Sequence, residues 1–403
     1  MRAEDFKGMH DYYARQGVLP TWARLGSLEE LDDYAAGRAA FFTDRLKLPP
    51  RMFRQARLLE IGPDTGENSL AFARWGAQLT LVEPNAKTWP HIREYYRKFG
   101  LDGRLASLEK VTLEEYASQE RFDFIDAEGF IYTLRPESVW IEQFSRLLKS
   151  DGLFVISYYE RSGALLELFL KMVFKAVREL TGLPAREAAW RVFEAKWESI
   201  PHTRSFESWV MDVLENPFVR LKFFFQAGEL LGRLSEAGFR LYSSWPPYQD
   251  GLALGWHKSE PAQELCLRRD QAFLDRSCLS FALGRKAFLC GTGQATASVR
   301  LSLSELTVAI DSLIDGLKPG LVKGSGQRLK EIGQALAAEA VLFDSQEERS
   351  RCQALIRSLD RIIGLVAHGQ AEELIAFCNA DQAFIDFWGQ PFHFGVFQPV
   401  PQP

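Results

Sequence analysis

From about residue 56 to 260 the chain repeats one rhythm: a short apolar run, a turn, then apolar residues three and four positions apart. Apolar runs of roughly four to eight residues suit strands buried on both faces, and the wider spacing suits helices laid against them. The strand candidates are ARLLEIG, AQLTLVEP, a weaker GRLASLE, FDFIDAE, LFVISYY, FRLYSSW and LALGWHK. Between the first two lies ENSLAFARWG, a helix stopped at Gly76, because glycine readily takes the left-handed conformation that ends helices. This alternation predicts an α/β fold built on a seven-stranded, doubly wound, Rossmann-like sheet. The last two runs are joined by PPYQDG, short enough for an antiparallel hairpin.

Elsewhere the rhythm changes. Residues 1–55 have helical spacing, aromatic pairs at Tyr12-Tyr13 and Phe41-Phe42, and a break at Pro49-Pro50; they predict an N-terminal helical lid. The interval of about 161–226 after LFVISYY far exceeds the usual connection of ~2–6 residues, so it must hold helices of its own. Insertions at that end of the sheet lie where open α/β folds bind ligands. Residues 262–403 contain LSELTVAIDSLIDGL, GQRLKEIGQALAAEAVLF and EERSRCQALIRSLDRIIGLVAHG, helical in period with no competing strand signal. They predict an all-helical accessory domain after a sheet domain of 56–260, with FHFGVFQPVPQP extended at the end. Its apolar helix faces need partners, either within the chain or on a second copy, so a homo-oligomer is one expectation.

Composition narrows the function classes. Hydrophobic residues at 46% and charged residues at 25% describe an ordinary globular chain, and a net charge of −5 gives no general attraction to nucleic acid or anionic lipid. The cysteines number five and form no CxxC pair, so neither a metal site nor a disulfide framework is expected. The greasiest stretch, GALLELFLKMVFKAVREL, is interrupted by Glu167, Lys171, Lys175 and Arg178 and should not span a bilayer. With no apolar leader at the start, a cytoplasmic location is expected.

The chemistry concentrates in LEIGPDTGENS, a glycine turn between a strand and a helix. Such a turn offers unpaired backbone N–H groups and suits a nucleotide-like ligand. Asp64, however, stands where a dinucleotide's phosphates would lie, and two negative groups within ~4 Å repel by about 1 kcal/mol even in water. A nicotinamide dinucleotide is therefore disfavoured, whereas a cationic ligand is welcome. Asp64 followed by Glu67 also fits a capping box, so the carboxylate either caps the helix or meets the ligand. Glu83, at the end of the second strand, is placed to accept ribose hydroxyls.

LEIGPDTGEN resembles the first motif, E-x-G-x-G-x-G, of class I S-adenosylmethionine-dependent methyltransferases, with Glu60, Gly62 and Gly66 in register and Asp64 replacing the middle glycine. VEPN resembles their second motif, and FDFIDAEGFIY and LLKSDGLFVISYYE the segments around strands four and five. The resemblance implies S-adenosylmethionine as cofactor and S-adenosylhomocysteine as product. It places Glu60, Gly62, Pro63, Asp64 and Gly66 at the methionine end, and Glu83 and Pro84 at the ribose. Thr112 and Leu113 would edge the adenine, Ala127 and Glu128 would face the methyl group, and Tyr13 would cover the cofactor. No Asn-Pro-Pro-Tyr tetrad follows strand four, which argues against the amide and adenine N-methyltransferases that use it. His202 and Glu128 are candidate general bases, and Tyr132, Tyr158 and Arg204 candidate acceptor contacts. The expected function is methylation of an oxygen or nitrogen on a small-molecule or glycan-type acceptor. A non-catalytic cofactor-binding scaffold, whose C-terminal helices bind a partner, is the alternative.

Overall fold

The computed structural model describes residues 12, 25–201, 205–249, 263–290, 294–316, 318–338 and 340–400. They divide into two compact units, and the chain passes between them repeatedly: the described residues within 1–158, 228–271 and 393–403 form one, and those within 159–227 and 272–392 the other.

The first unit opens with helix α1 (Leu28–Asp44), started by a capping box in which Ser27 and Glu30 satisfy each other's backbone N–H groups. There follow β1 (Arg57–Ile61), α2 (Glu67–Arg74), β2 (Gln78–Val82), α3 (Trp89–Lys98), β3 (Leu105–Glu109), β4 (Phe122–Ala127), α4 (Ser138–Leu147) and β5 (Leu148–Tyr159). After the second unit's insertion come α5 (Ala227–Glu236), β6 (Phe239–Trp245) and finally β7 (Phe392–Pro399). Strand order is β3-β2-β1-β4-β5-β7-β6, with β1 to β5 parallel where paired and β6 antiparallel to β7. Gly76 does stop α2, at φ +99°. The expected doubly wound sheet is present with its first six strands where the hydrophobic runs place them.

The seventh strand is a correction. LALGWHK lies outside the described residues, and β6 pairs instead with the C-terminal FHFGVFQP, Phe239 standing opposite Pro399 and Trp245 opposite Phe394. Phe397 stacks on Phe154 of β5 at 5.1 Å, so the tail strand fills the gap between β5 and β6. A chain cut near residue 260 would leave β6 without this partner and expose two strand edges. Such a truncation is expected to be insoluble in expression trials; a soluble, monomeric product would show that the sheet closes without β7.

Helix α1 belongs to the sheet unit's core rather than standing apart as a lid. Leu31 and Phe42 are buried in one cluster with Phe53, Leu58, Phe72 and Leu79. Phe42 meets Phe72 edge-on at 5.5 Å, and Phe53 lies 4.5 Å from Phe124.

The second unit joins the insertion to the C-terminal region, which the sequence separates. Insertion helices Leu165–Thr181 and Ala185–Trp197 pack with helices Gln294–Leu313, Gln346–Ala367 and Ala371–Ala380. The reason is polar as well as apolar. The buried Lys196 ammonium donates to the carbonyls of Phe384 (2.6 Å) and Phe387 (2.5 Å) and lies 4.6 Å from the ring centres of Phe384 and Trp388. Burial lowers its pKa to about 7, yet three ammonium donors suit a ring of carbonyls. Arg220 likewise forks onto Asp311 (2.8 Å) and Asp315 (2.7 Å). The C-terminal region also holds a short antiparallel pair, Ala287–Leu289 with Val341–Phe343, that helical periodicity does not announce. Among the described residues no helix is long and apolar enough to cross a membrane.

Candidate functional site

The sheet reverses its strand order between β1 and β4, the point at which open α/β sheets leave a crevice at their carboxyl ends. Glu60 of β1 stands directly opposite Asp126 of β4, each 2% exposed. Neighbouring strands lie ~4.8 Å apart, so two carboxyl groups share one dry spot. Glu128 follows two residues after Asp126. The counter-charge comes from α1, where Leu31, Ala35, Arg38 and Phe42 recur at helical spacing and set an arginine in an apolar stripe. Its Nη2 lies 2.7 Å from Glu128 Oε1 and its Nη1 3.4 Å from Oε2, with the guanidinium 4.9 Å over the Phe42 ring and 5.4 Å over Phe72. Burial pushes the Glu60 carboxyl up to about 7; Ser69 and Arg38 pull it partly back, the Ser69 hydroxyl through its dipole, without a hydrogen bond of normal geometry. Burial, reinforced by Glu128 and Glu60, raises Asp126 well above the ordinary carboxylate range.

The glycine turn approaches β2 closely. Gly62 takes φ +66°, and a Cβ there would stand 3.0 Å from the Phe130 ring; Gly66 takes φ +93°, with Ile92 3.2 Å from its missing Cβ. The capping expectation for Asp64 is overturned. Helix α2 is capped by Gly66 with no side-chain bond, while the Thr65 hydroxyl donates to Glu67. Asp64 instead takes the left-handed conformation, φ +50°, so its amide meets Glu83: the N–H donates to Oε2 at 3.1 Å. The Asn85 N–H donates to the other oxygen at 2.7 Å. Glu83 is 4% exposed, and burial pushes its carboxyl up to about 8, the Asp64 charge adding to this and the two N–H groups opposing it. Trp89 donates its indole N–H to the Glu83 carbonyl at 2.8 Å, and Lys110 caps the indole face at 4.1 Å.

A left-handed L-residue costs roughly 1–2 kcal/mol, less for aspartate than for alanine. Asp64→Gly is therefore expected to hold or raise stability by up to about 1 kcal/mol, and Asp64→Ala to lower it by about 1 kcal/mol. Chemical denaturation of the two variants checks this; equal losses in both would restore a capping role.

The structure thus gathers Glu60, Gly62, Pro63, Asp64, Gly66, Glu83 and Glu128 about the carboxyl ends of β1, β2 and β4. Pro84 follows Glu83 half-buried; Thr112 and Leu113 begin a turn beyond β3, closed by the Tyr116 N–H on the Thr112 carbonyl at 3.0 Å. Ala127 is buried at the end of β4, opposite Ile156. Tyr158 is fully buried, its hydroxyl 2.5 Å from that of Tyr248, which lies 2.6 Å from His393 Nδ1. Tyr132 is buried in a 3-10 turn, Ile131–Thr133. Glu128 is held by Arg38, whose two Nη atoms engage both of its carboxylate oxygens. Tyr13, His202 and Arg204 lie outside the described residues. Sequence reasoning missed Arg38, Asp126 and Trp89, although an arginine inside an apolar helical stripe is a readable signal.

Carboxyl groups outnumber the one guanidinium among them, so the crevice favours a ligand carrying positive charge and hydroxyl donors and disfavours phosphates. Among the described residues no group of three or more His, Cys, Asp or Glu could hold a metal ion. A family described as a methyltransferase domain matches residues 34–244, just over half of the chain. No curated protein matches the sequence. Similar solved structures include PKMT2 from Rickettsia typhi (15% identity, 59% of this chain and 49% of that one, TM-score 0.39). Others are the 1,6-didemethyltoxoflavin-N1-methyltransferase of Burkholderia thailandensis (19%, 39% and 63%, TM-score 0.30) and the glycopeptide N-methyltransferase MtfA complexed with sinefungin (17%, 32% and 54%, TM-score 0.27). The chain spans between about half and just under two thirds of the length of these structures.

Proposed function

The chain belongs to the family of methyltransferase domains that matches residues 34–244, and from that premise we propose that it binds S-adenosylmethionine at the carboxyl ends of β1, β2 and β4. The acceptor is an oxygen or nitrogen of a small-molecule or sugar-like compound. The observation that carries the reading is the set of buried carboxyl groups at the carboxyl ends of β1, β2 and β4, Glu60 opposite Asp126 and Glu83 accepting from the Asp64 and Asn85 N–H groups.

The residues fit the cofactor. Each Glu83 oxygen already accepts one backbone N–H, and a carboxylate's four lone-pair sites leave room for two ribose hydroxyls. Gly62 and Gly66 keep the loop free of side chains where the cofactor must pass. Glu60 lies at the methionine end with Asp64 nearby, Pro84 beside the ribose, and Thr112 and Leu113 along the adenine edge. Ala127 and Glu128 close the methyl-bearing end. When bound, the cofactor supplies an electrophilic methyl group on a sulfonium. What this chain contributes is alignment of the acceptor and exclusion of water from the crevice. His202 and Arg204, in the insertion, remain the proposed acceptor-side base and anion holder, with Tyr132 a proposed acceptor contact.

Incubation with methyl-labelled S-adenosylmethionine and panels of amine- and hydroxyl-bearing small molecules tests the reading. Label on such an acceptor is expected; tight cofactor binding with no transfer to any acceptor would favour the scaffold alternative.

A further inference from the structure

Glu60 neighbours two hydroxyl-bearing residues on separate helices, Ser69 of α2 and Tyr96 of α3. All three are buried, at 2% exposure or less. Glu60 Oε2, Ser69 Oγ and Tyr96 Oη each lack a hydrogen bond of normal geometry among the described residues. The Ser69 hydroxyl is nonetheless close enough to lower the proton affinity of both Glu60 and Tyr96, so it stands between them. Buried polar groups are nearly always satisfied, and a hydroxyl hydrogen turns to suit its partner. The three groups therefore close into a chain.

The direction of the chain follows from counting protons. Three groups leave two gaps. Burial holds the Tyr96 phenol well above its usual pKa, so it keeps its proton, and Ser69 carries a second. With Glu60 ionised, Tyr96 donates to Ser69 and Ser69 to the carboxylate, and both gaps are filled. A proton on Glu60 Oε2 would be a third, leaving one buried donor without an acceptor. The other groups that act on Glu60 are Arg38 and Tyr34 of α1, Glu67 of α2, Asp126 and Glu128 at the end of β4, and Glu83. Among them Arg38 alone is cationic, and both its Nη atoms are engaged by Glu128. We infer that Tyr96 and Ser69 form a hydroxyl relay that holds Glu60 as a carboxylate for the cofactor. Both are positioning residues, acting through Glu60. This rests on the cofactor reading above, which assigns Glu60 but neither hydroxyl.

Calorimetry with S-adenosylhomocysteine on the full chain, between pH 6.5 and 9, tests the relay. Ser69→Ala removes the donor from Glu60, and losing a hydrogen bond to a charged group raises a carboxyl's pKa by about one unit. The variant is expected to bind about eightfold more weakly than the wild type at pH 6.5, and within about twofold of it at pH 9, where Glu60 is ionised in both. Tyr96→Phe is expected to cost about threefold at pH 6.5, and nothing further once Ser69 is alanine, because Tyr96 reaches Glu60 only through Ser69. A Ser69→Ala loss of the same size at pH 6.5 and 9 would reduce Ser69 to packing and overturn the relay. So would a Tyr96→Phe effect that persists undiminished in the double variant. Chemical denaturation without ligand reads the same proton. The folded Ser69→Ala variant takes up the proton more readily than the wild type, so its stability loss should be full at pH 9 and largely gone at pH 5.5. Equal losses at both values would overturn the relay whatever the ligand data show. Failure of the wild type to bind S-adenosylhomocysteine would overturn the cofactor reading, and the denaturation comparison would then decide whether the hydroxyls hold Glu60 ionised.

Discussion

Replacing Arg38 by alanine is expected to cost about 3–5 kcal/mol of stability at pH 8, the usual penalty for stripping the partner from buried charge. The guanidinium is the counter-charge that Glu128 touches and Glu60 and Asp126 feel. At roughly 2–4 °C per kcal/mol, thermal unfolding should shift down by roughly 10 °C. The loss should shrink in acid. Glu60 and Asp126 already hold protons more tightly in the folded than in the unfolded chain, and the variant raises their affinity further. The folded state then binds more protons than the unfolded one, so stability rises as pH falls toward the unfolded carboxylate range of about 4. Melting curves at pH 5.5 and 8 read this directly. An equal loss at both values would mean that Arg38 matters through its packing on Phe42 and Phe72 and not through its charge.

Glu83→Ala should weaken cofactor binding by at least about 100-fold, because two hydrogen bonds to a charged acceptor contribute roughly 1.5–3 kcal/mol each. Glu83→Gln makes the sharper comparison. The amide oxygen can still accept from one of the Asp64 and Asn85 N–H groups, so the loop should keep its shape. A carboxyl raised to about 8 destabilises the fold once ionised, so the folded protein loses stability as pH climbs toward 8. The glutamine variant should therefore match the wild type near pH 5 and exceed it near pH 9, while binding cofactor less tightly at both. A glutamine variant of undiminished affinity would remove Glu83 from the ribose site.

What the sequence makes legible here is local. Strands β1 to β4 and β6 each fit in a short run, β5 extends its run back to Leu148, and the turn from Gly62 to Gly66 is written in adjacent residues. The tail strand was not legible as a sheet member, because FHFGVFQP declares an extended conformation but not that Phe397 stacks on Phe154. The joining of insertion and C-terminal helices has the same cause: Lys196 finds its carbonyls nearly two hundred residues away, and periodicity says nothing about partners. The capping alternative for Asp64 fails for another reason. The spacing to Glu67 fits a cap, but the backbone had to turn left-handed to deliver its N–H to Glu83, and aspartate tolerates that conformation. Glu60 and Glu83 were legible as site residues, whereas Arg38 was masked by sitting in a segment read as a covering lid.

The buried, partly protonated acidic crevice is expected to take up S-adenosylmethionine by ionising. Ribose hydroxyls donated to Glu83 and an ammonium beside Glu60 both favour the carboxylates, so binding must lower pKa values that stand at about 8 and about 7 in the free protein. Below those values the complex holds fewer protons than its parts, and affinity should rise about tenfold per pH unit for each proton released, flattening above pH 8. Titration calorimetry with S-adenosylhomocysteine at pH 6.5 and 8.5, in buffers of different ionisation enthalpy, measures affinity and proton release together. Binding is expected at both pH values, tighter at 8.5, with protons released at 6.5; binding of NADH in place of S-adenosylhomocysteine, or an affinity indifferent to pH with no proton release, would overturn uptake by ionisation.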